Sequence, residues 1–208
     1  SQLLQAEAIR YGVEHWRRHR GRCMGAIYWQ VNDCWPVASW SSIDYAHRWK
    51  ALHYFSKRFF APVLLSCCEE STLTQQTNVN AEGILIEKSA RLNISNESMN
   101  AGNFKVCWAL RDARARVIRE GAHEISVPPL SSMWLDQLDF PDAELHGHYL
   151  SYDLFQSDTW ISGGSVLFCA PKHFDFVDPH LRCEPQNDVL VIRADAYARS
   201  VEIECMDG

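Results

Sequence analysis

Apolar residues recur at helical spacing in two parts of the first sixty residues. In residues 3–19 they fall at positions 4, 8 and 11 and at positions 9, 13 and 16, which is the spacing of an amphipathic helix. Residues 44–60 show the same pattern, with Asp44 in the N-cap position and Pro62 as a stop. We therefore predict one helix in each range.

The segment between these helices, CMGAIYWQV at 23–31, is apolar without alternation. A strand that is buried on both faces has this pattern, and such strands occur in parallel sheets flanked by helices. Residues 1–61 are thus predicted to form a helix, strand and helix of α/β type.

After Pro62 the pattern changes to short segments rich in β-branched and aromatic residues, separated by Gly, Asn, Asp and Pro. Six or seven such segments in residues 62–172 predict an immunoglobulin-like antiparallel β-sandwich. We expect SGGSV at 162–166 to be a hairpin turn. Residues 173–208 are predicted to be a linker followed by two more strands that begin a second β domain.

Composition excludes some classes of function. The chain has 208 residues, 47% of them hydrophobic, and a net charge of −6, so it can form a core but is a poor nucleic-acid binder. No apolar run approaches the roughly 20 residues of a membrane span. Eight cysteines without a C-x-x-C pair favour reduced thiols over a disulfide framework.

The sequence starts inside a predicted helix, without a signal-peptide pattern. We therefore expect more chain upstream and a cytoplasmic protein. Two glycosylation sequons, at Asn93 and Asn96, would matter only in a secretory route.

The common catalytic and cofactor motifs are absent from the sequence. Nine histidines form no H-E-x-x-H motif, and there is no G-x-x-x-x-G-K-[ST] loop and no G-x-S-x-G nucleophile. Asp33 and Asp44 do not make a convincing pair of catalytic carboxylates, since Asp44 is better explained as a helix cap. We expect no metal and no cofactor.

The stretch YWQVNDCWPVASW, residues 28–40, combines flat aromatic rings with hydrogen-bonding groups. Pyranose rings have an apolar face and a rim of hydroxyls, so tryptophans beside amides and carboxylates suit sugars. The stretch also follows a predicted parallel strand, where polar residues of barrel enzymes face the active site. The chemistry alone leaves a sugar site and simple packing of the tryptophans equally open.

Residues 22–66 closely resemble the end of the catalytic barrel in β-mannosidases of glycoside hydrolase family 2. The motif YWQ-ND-WPV-SWSSIDY carries this resemblance. QAEAIRYGVEHWRRHRG is similar to the preceding barrel helix. ARLNISNES, LSSMWLDQLDF, YLSYDLF and VLFCAPKHFDF are similar to the sandwich that follows the barrel, and ADAYARSVEIE to the start of the last immunoglobulin-like domain.

The resemblance implies the last βα portion of a TIM barrel (helix 7, strand 8, helix 8) in residues 1–61, followed by the sandwich and a truncated domain. It implies a retaining exo-β-mannosidase that acts on terminal β-mannosyl residues by double displacement, with both catalytic glutamates upstream of this chain. The implied substrate-binding residues are Trp29, Asn32, Asp33 and Trp35. The partner would be a β-mannoside oligosaccharide, without membrane or nucleic acid, and a homodimer of the parent stays open.

The alternative is a non-catalytic carbohydrate-binding or scaffolding β-sandwich module without an enzymatic parent. It predicts sugar affinity within residues 62–172. We expect none there, because Trp108, Trp134 and Trp160 are scattered through strands, and such tryptophans more often pack into cores.

Overall fold

The computed structural model describes residues 1–75 and 85–203. The helices are α1 (Gln2–Arg18), α2 (Ala51–Phe59), α3 (Thr72–Gln75) and a 3₁₀ turn (Pro171–His173). The strands are β1 (Val63–Glu70), β2 (Ser89–Asn96), β3 (Gly102–Asp112), β4 (Val117–Val127), β5 (Ser131–Asp139), β6 (His148–Gln156), β7 (Thr159–Leu167), β8 (Arg182–Gln186) and β9 (Val189–Arg193).

Seven of these strands form two antiparallel sheets, ordered β1-β2-β5 and β4-β3-β6-β7. The sheets meet at one edge, where the backbone N–H of Leu65 donates to Ser162 Oγ at 3.2 Å. The core lies between them, and its largest fully buried members include Leu92, Ile94, Val106, Leu150, Leu154 and Phe168. The antiparallel sandwich predicted from the strand pattern is confirmed.

The predicted hairpin turn at SGGSV is wrong, because residues 162–166 lie inside β7. The turn into β7 is made by Ser157 and Asp158, both with left-handed φ angles of 47° and 65°. Gly163 and Gly164 serve packing rather than turning, since a Cβ at either position would meet side-chain or backbone atoms of β6 within 3 Å.

Helix α1 covers the outer face of the three-stranded sheet. The Arg18 guanidinium donates to the Cys67 carbonyl at 3.1 Å, and Ser132 Oγ donates to the Arg18 carbonyl at 3.0 Å. Strand β2 is therefore buried on both faces, with Asn93 and Ser95 fully inaccessible. This explains why an interior strand carries polar side chains, since they face the helix and its backbone rather than the apolar core.

Both sequon asparagines are buried in this arrangement. Asn93 and Asn96 each have 0% exposure. Asn96 Nδ2 donates to the carbonyls of Asn100 and Pro128, both at 2.9 Å. A buried amide nitrogen is inaccessible to a transferase in the folded protein, so neither sequon is open to glycosylation in this fold.

The first sixty residues depart from the prediction in their middle. Helix α1 is confirmed and packs on α2 through Ala6, Val13, Leu52 and Phe59. Residues 23–31 form no strand, and Asn32 makes one isolated parallel bridge to Ile43. A parallel strand needs neighbours on both sides for its hydrogen bonds, and the described residues supply none. The barrel portion is therefore not evident.

The second predicted helix is shorter than expected. It begins at Ala51 with Lys50 as its N-cap residue, instead of at Asp44. Asp44 accepts hydrogen bonds from the backbone N–H and the guanidinium of Arg48, at 3.0 and 2.7 Å. Its carboxylate thus closes a separate turn before the helix.

The last segment forms one antiparallel hairpin, β8–β9. Tyr197 then returns to the sandwich, where its ring stacks on Tyr149 with centroids 3.8 Å apart. Of the two strands predicted after the linker, the second is not formed within residues 194–203, and residues 204–208 lie outside the described residues.

Candidate functional site

The stretch between α1 and α2 is an exposed loop folded back on itself. The Ile43 N–H donates to the Val31 carbonyl at 2.7 Å, and the Ser42 N–H donates to the carbonyls of Gln30 and Val31 at 3.0 Å. These bonds join the two ends of the loop, and the peptide bond between Trp29 and Gln30 is cis. The aromatic residues lie on and between these ends.

Asp33 is the centre of the loop. Its side chain is almost inaccessible, and its two carboxylate oxygens accept hydrogen bonds from Ser39 Oγ and Ser41 Oγ, each at 2.6 Å. The Lys50 ammonium donates to Ser41 Oγ at 2.7 Å and lies 3.5 Å from Asp33. The carboxylate thus closes the loop that contains Trp35.

The electrostatics of this cluster favour the ionised form of Asp33. The hydroxyl hydrogen bonds of Ser39 and Ser41, then the nearby Lys50 charge, hold the pKa of the Asp33 carboxyl below its ordinary value. Asp33 therefore stays a pure acceptor at neutral pH, which is the state that two hydroxyl donors require.

The aromatic rings of the loop face solvent. Trp29 is 73% exposed, Trp35 63% and Trp40 64%. Three large exposed rings in one short loop are unusual, and exposed apolar surface of this kind often marks a binding surface. Trp40 is also tied to α1, because Gln5 Nε2 donates to its carbonyl at 2.6 Å.

Asn32 is an exposed residue of the same loop. Its amide Nδ2 donates to the Asp33 carbonyl at 3.3 Å, and its own carbonyl accepts from Gln30 Nε2 at 2.8 Å. The side-chain oxygen of Asn32 keeps an open acceptor position toward solvent among the described residues. The structure thus brings Trp29, Asn32, Asp33 and Trp35 together in one loop, with Asp33 turned inward and the other three exposed.

Three supporting residues escaped the sequence analysis. Ser39, Ser41 and Lys50 have no motif that connects them with Asp33, and only the folded path of the loop brings their side chains together. The one available signal was the polar cluster Ser39, Ser41 and Ser42 around Trp40, which is too rich in hydroxyls for a strand end.

A second small network lies beneath the loop. The Ser42 hydroxyl donates to the Val31 carbonyl at 2.9 Å and lies 3.0 Å from Tyr28 Oη and 3.1 Å from His53 Nδ1. The His53 ring contacts Trp49, with centroids 4.5 Å apart. Ser42 is fully buried, so this Ser–His contact holds the loop on α2 and is closed to a substrate.

Within residues 1–75 and 85–203 there is no group of three or more His, Cys, Asp or Glu side chains arranged to hold a metal ion. In the same ranges no helix is long and apolar enough to span a membrane. The seven cysteines in this part of the chain are all free thiols.

Comparison with known proteins shows that the chain is similar to parts of several glycosidases. Residues 88–173 match the family described as Mannosidase Ig/CBM-like domain. A β-mannosidase of Capra hircus is 48% identical over 71 residues, which cover 31% of this chain and 8% of that protein. A β-mannosidase A of Aspergillus terreus is 26% identical over 211 residues, which cover 95% of this chain and 22% of that protein.

Solved structures agree in fold. The crystal structure of a β-D-mannosidase from Dictyoglomus thermophilum superposes with a TM-score of 0.75 at 24% identity, covering 94% of this chain and 23% of that chain. The exo-chitosanase CsxA of Amycolatopsis orientalis gives a TM-score of 0.60 at 17% identity over 80% of this chain and 18% of its own. The chain thus spans less than a quarter of the length of each of these proteins.

Proposed function

We propose that this chain is part of a retaining exo-β-mannosidase of glycoside hydrolase family 2, which removes terminal β-D-mannosyl residues from oligosaccharides. The observation that carries this proposal is the loop at 28–43. It presents exposed tryptophan faces beside an amide and is held closed by a buried carboxylate. Such a surface suits the apolar face and hydroxyl rim of a pyranose.

In this proposal the loop forms one wall of the sugar site. Trp29 stacks against the mannose ring and Asn32 meets its hydroxyls, while Trp35 borders the site. Asp33 belongs to the site, but its carboxylate points into the loop, because both of its oxygens already accept hydrogen bonds from serines. Asp33 therefore positions the wall that the tryptophans form.

Hydrolysis needs two further carboxyl groups, which we place in sequence preceding Ser1. In a retaining glycosidase one carboxylate attacks the anomeric carbon while the other carboxylic acid protonates the leaving oxygen. Water then attacks the glycosyl–enzyme ester and the second group accepts its proton. Residues 1–61 would complete the barrel, residues 62–172 form the sandwich domain, and residues 173–208 lead into a further β domain.

The decisive experiment replaces Trp29 in the complete enzyme. We expect Trp29→Ala to lower kcat/KM for p-nitrophenyl β-mannoside by about a hundredfold, since a stacking wall is lost. Trp134→Phe is the control, because that ring lies against Arg91 and His19 on the sandwich. Unchanged kinetics in Trp29→Ala would contradict the placement of the sugar.

The isolated 208-residue chain should be catalytically inactive. It carries the wall of the site but neither proposed catalytic carboxylate. Measurable release of p-nitrophenol from p-nitrophenyl β-mannoside by the purified chain would contradict the proposal. Sedimentation of the complete enzyme would decide whether it is a homodimer.

A further inference from the structure

The outer face of the four-stranded sheet carries a cleft of about 350 Å³, a size within the usual range of small-ligand sites. It lies on the opposite side of the sheet from the core, over strands β3, β4 and β6. The small side chain of Ala109 lies in the middle of its floor. In the strand register Ala109 lies between Glu120 of β4 and Ser151 of β6. Small residues at the middle of a sheet leave a depression that larger neighbours can border.

One end of this face is already covered by the chain itself. Tyr197 stacks on Tyr149, and its hydroxyl lies 2.7 Å from Ser165 Oγ. Phe174 packs against the same pair of rings. Ser151 of the cleft follows Tyr149 along the outer face of β6, and Asp153, which Trp160 contacts, lies further from the covered end.

Trp160 is the exposed aromatic residue of this face. It is 53% exposed, and its indole Nε1 donates to Asp153 Oδ1 at 2.8 Å, which fixes the orientation of the ring beside the cleft. Phe155 is its register partner on β6, so the ring stands on the outer face of the sheet. An indole that is half exposed and fixed in orientation can stack against the apolar face of a ring-shaped ligand.

Gly163 preserves this arrangement. It lies opposite Asp153 in the register, and a Cβ at this position would come within 2.6 Å of Asp153 Oδ1 and 3.2 Å of Trp160 Nε1. Glycine weakens a strand interior and often marks the close approach of another group. Here the approaching groups are the Asp153 carboxylate and the Trp160 indole, so a side chain at position 163 would disturb their hydrogen bond.

The charged residues that line the cleft, all within the described ranges, comprise as many cations as carboxylates, and they do not pair with one another. Lys105 and Arg111 supply two cations, and Glu120 and Asp153 two carboxylates. Among the described residues no ion pair joins any of these four side chains to each other, and Arg111 is occupied by hydrogen bonds to Ser151 Oγ and the Ala115 carbonyl. Donors and acceptors of both signs around a cleft without net charge suit a neutral ligand with many hydroxyls.

We propose that this cleft is an accessory binding site for neutral oligosaccharides, separate from the loop at 28–43. One pyranose ring stacks on the exposed face of Trp160, and its hydroxyls reach Asp153 and Lys105. The next unit lies along the floor toward Glu120. The proposal departs from the expectation that the sandwich binds no sugar, since one of its three tryptophans is exposed and oriented.

The test is calorimetric titration of the complete 208-residue chain with mannotetraose, up to about 10 mM ligand. Binding needs no catalysis, so the result is independent of the proposed glycosidase activity. We expect one site, weakened at least about tenfold by Trp160→Ala and by Lys105→Met. Lys105 is exposed and makes no hydrogen bond or ion pair with the described residues, so its replacement should leave the fold intact.

Trp134→Phe is the matched control, because this sandwich tryptophan lies on β5 against Arg91 and His19, away from the residues that line the cleft. It should leave the affinity unchanged if the sugar lies in the cleft. Loss of binding in Trp29→Ala with full binding in both cleft variants would place the sugar on the loop and overturn the proposal. An absence of binding by the unaltered chain would overturn it as well.

Discussion

Asp33 and Lys50 lie 3.5 Å apart across the loop that carries the exposed tryptophans, and Ser41 connects them. The Ser41 hydroxyl donates to Asp33 at 2.6 Å and accepts from the Lys50 ammonium at 2.7 Å. Lys50 is also the residue that precedes α2, and its N–H donates to the Ser42 carbonyl at 2.9 Å. The loop and the start of the helix are therefore held by one polar cluster.

Ser41→Ala should loosen this loop and lower the free energy of unfolding by about 1–2 kcal/mol, because a fully buried hydroxyl that bridges two charges is removed. Ser126→Ala is a control, since Ser126 is exposed on β4 and makes no hydrogen bond through its side chain among the described residues. Urea unfolding measures both changes. Equal stability of the two variants would show that the Ser41 bridge contributes nothing.

The sandwich core offers a sharp test of packing at Gly121. A Cβ at this position would lie 2.6 Å from Cζ2 and 2.7 Å from Cε2 of Trp108, whose ring is wedged against Phe140. Gly121→Ala should therefore lower the free energy of unfolding by about 1–3 kcal/mol through overpacking. Gly25→Ala is the matched control, since a methyl group added there would have no atom within 4 Å. Thermal unfolding of both variants compares the two sites.

Sequence patterns predicted those parts of the fold whose partners lie within the described chain. Apolar and polar residues alternate along strand β3 because one of its faces meets the core through Val106 and Trp108. Helix α1 carries an apolar stripe because that side of the helix packs on α2. The run at 23–31 predicted burial, yet Ile27 is 96% exposed. An apolar run indicates that a segment is suited to burial. It does not reveal which surface would bury the segment.

The sequence pointed to the residues of the candidate site but not to their roles. The combination of rings and polar groups drew attention to the loop, and the assignment of Trp29, Asn32, Asp33 and Trp35 to sugar binding stays a prediction. The resemblance assigned Asp33 to substrate binding, and the sequence does not reveal whether its carboxylate meets a sugar or holds the loop. That question depends on Ser39 and Ser41, whose hydroxyls reach the carboxylate only through the folded path of the chain.

Asn96 is expected to be essential for the turn after β2. Its Nδ2 donates to two carbonyls, and its Oδ1 accepts from the N–H and the hydroxyl of Ser98, at 2.9 and 2.7 Å. Asn96→Ala would leave several of these buried groups unpaired and should lower the free energy of unfolding by about 2–3 kcal/mol. Asn103→Ala, at an exposed position on β3, provides the comparison by chemical denaturation. A smaller loss for Asn96→Ala than for Asn103→Ala would contradict the role of this amide.

Glu69 should make stability depend on pH. Burial raises the pKa of its carboxyl from 4.5 to about 7, although Arg10 and Arg199 partly oppose the shift. The folded state then binds more protons than the unfolded state between these two values, so the free energy of unfolding falls as pH rises from about 4.5 to about 7. The full effect is at most about 3 kcal/mol.

Glu69→Gln should remove this slope, because the amide does not titrate. Relative to the unaltered chain, the variant should gain stability as pH rises through the window and keep the gain above it. Glu14, whose pKa burial also raises, is present in both proteins and cancels in the comparison. Urea unfolding at several pH values between about 4 and about 8 measures the difference. Parallel curves for the two proteins would show that the pKa of Glu69 is the same in the folded and unfolded states, and would contradict a pKa raised by burial.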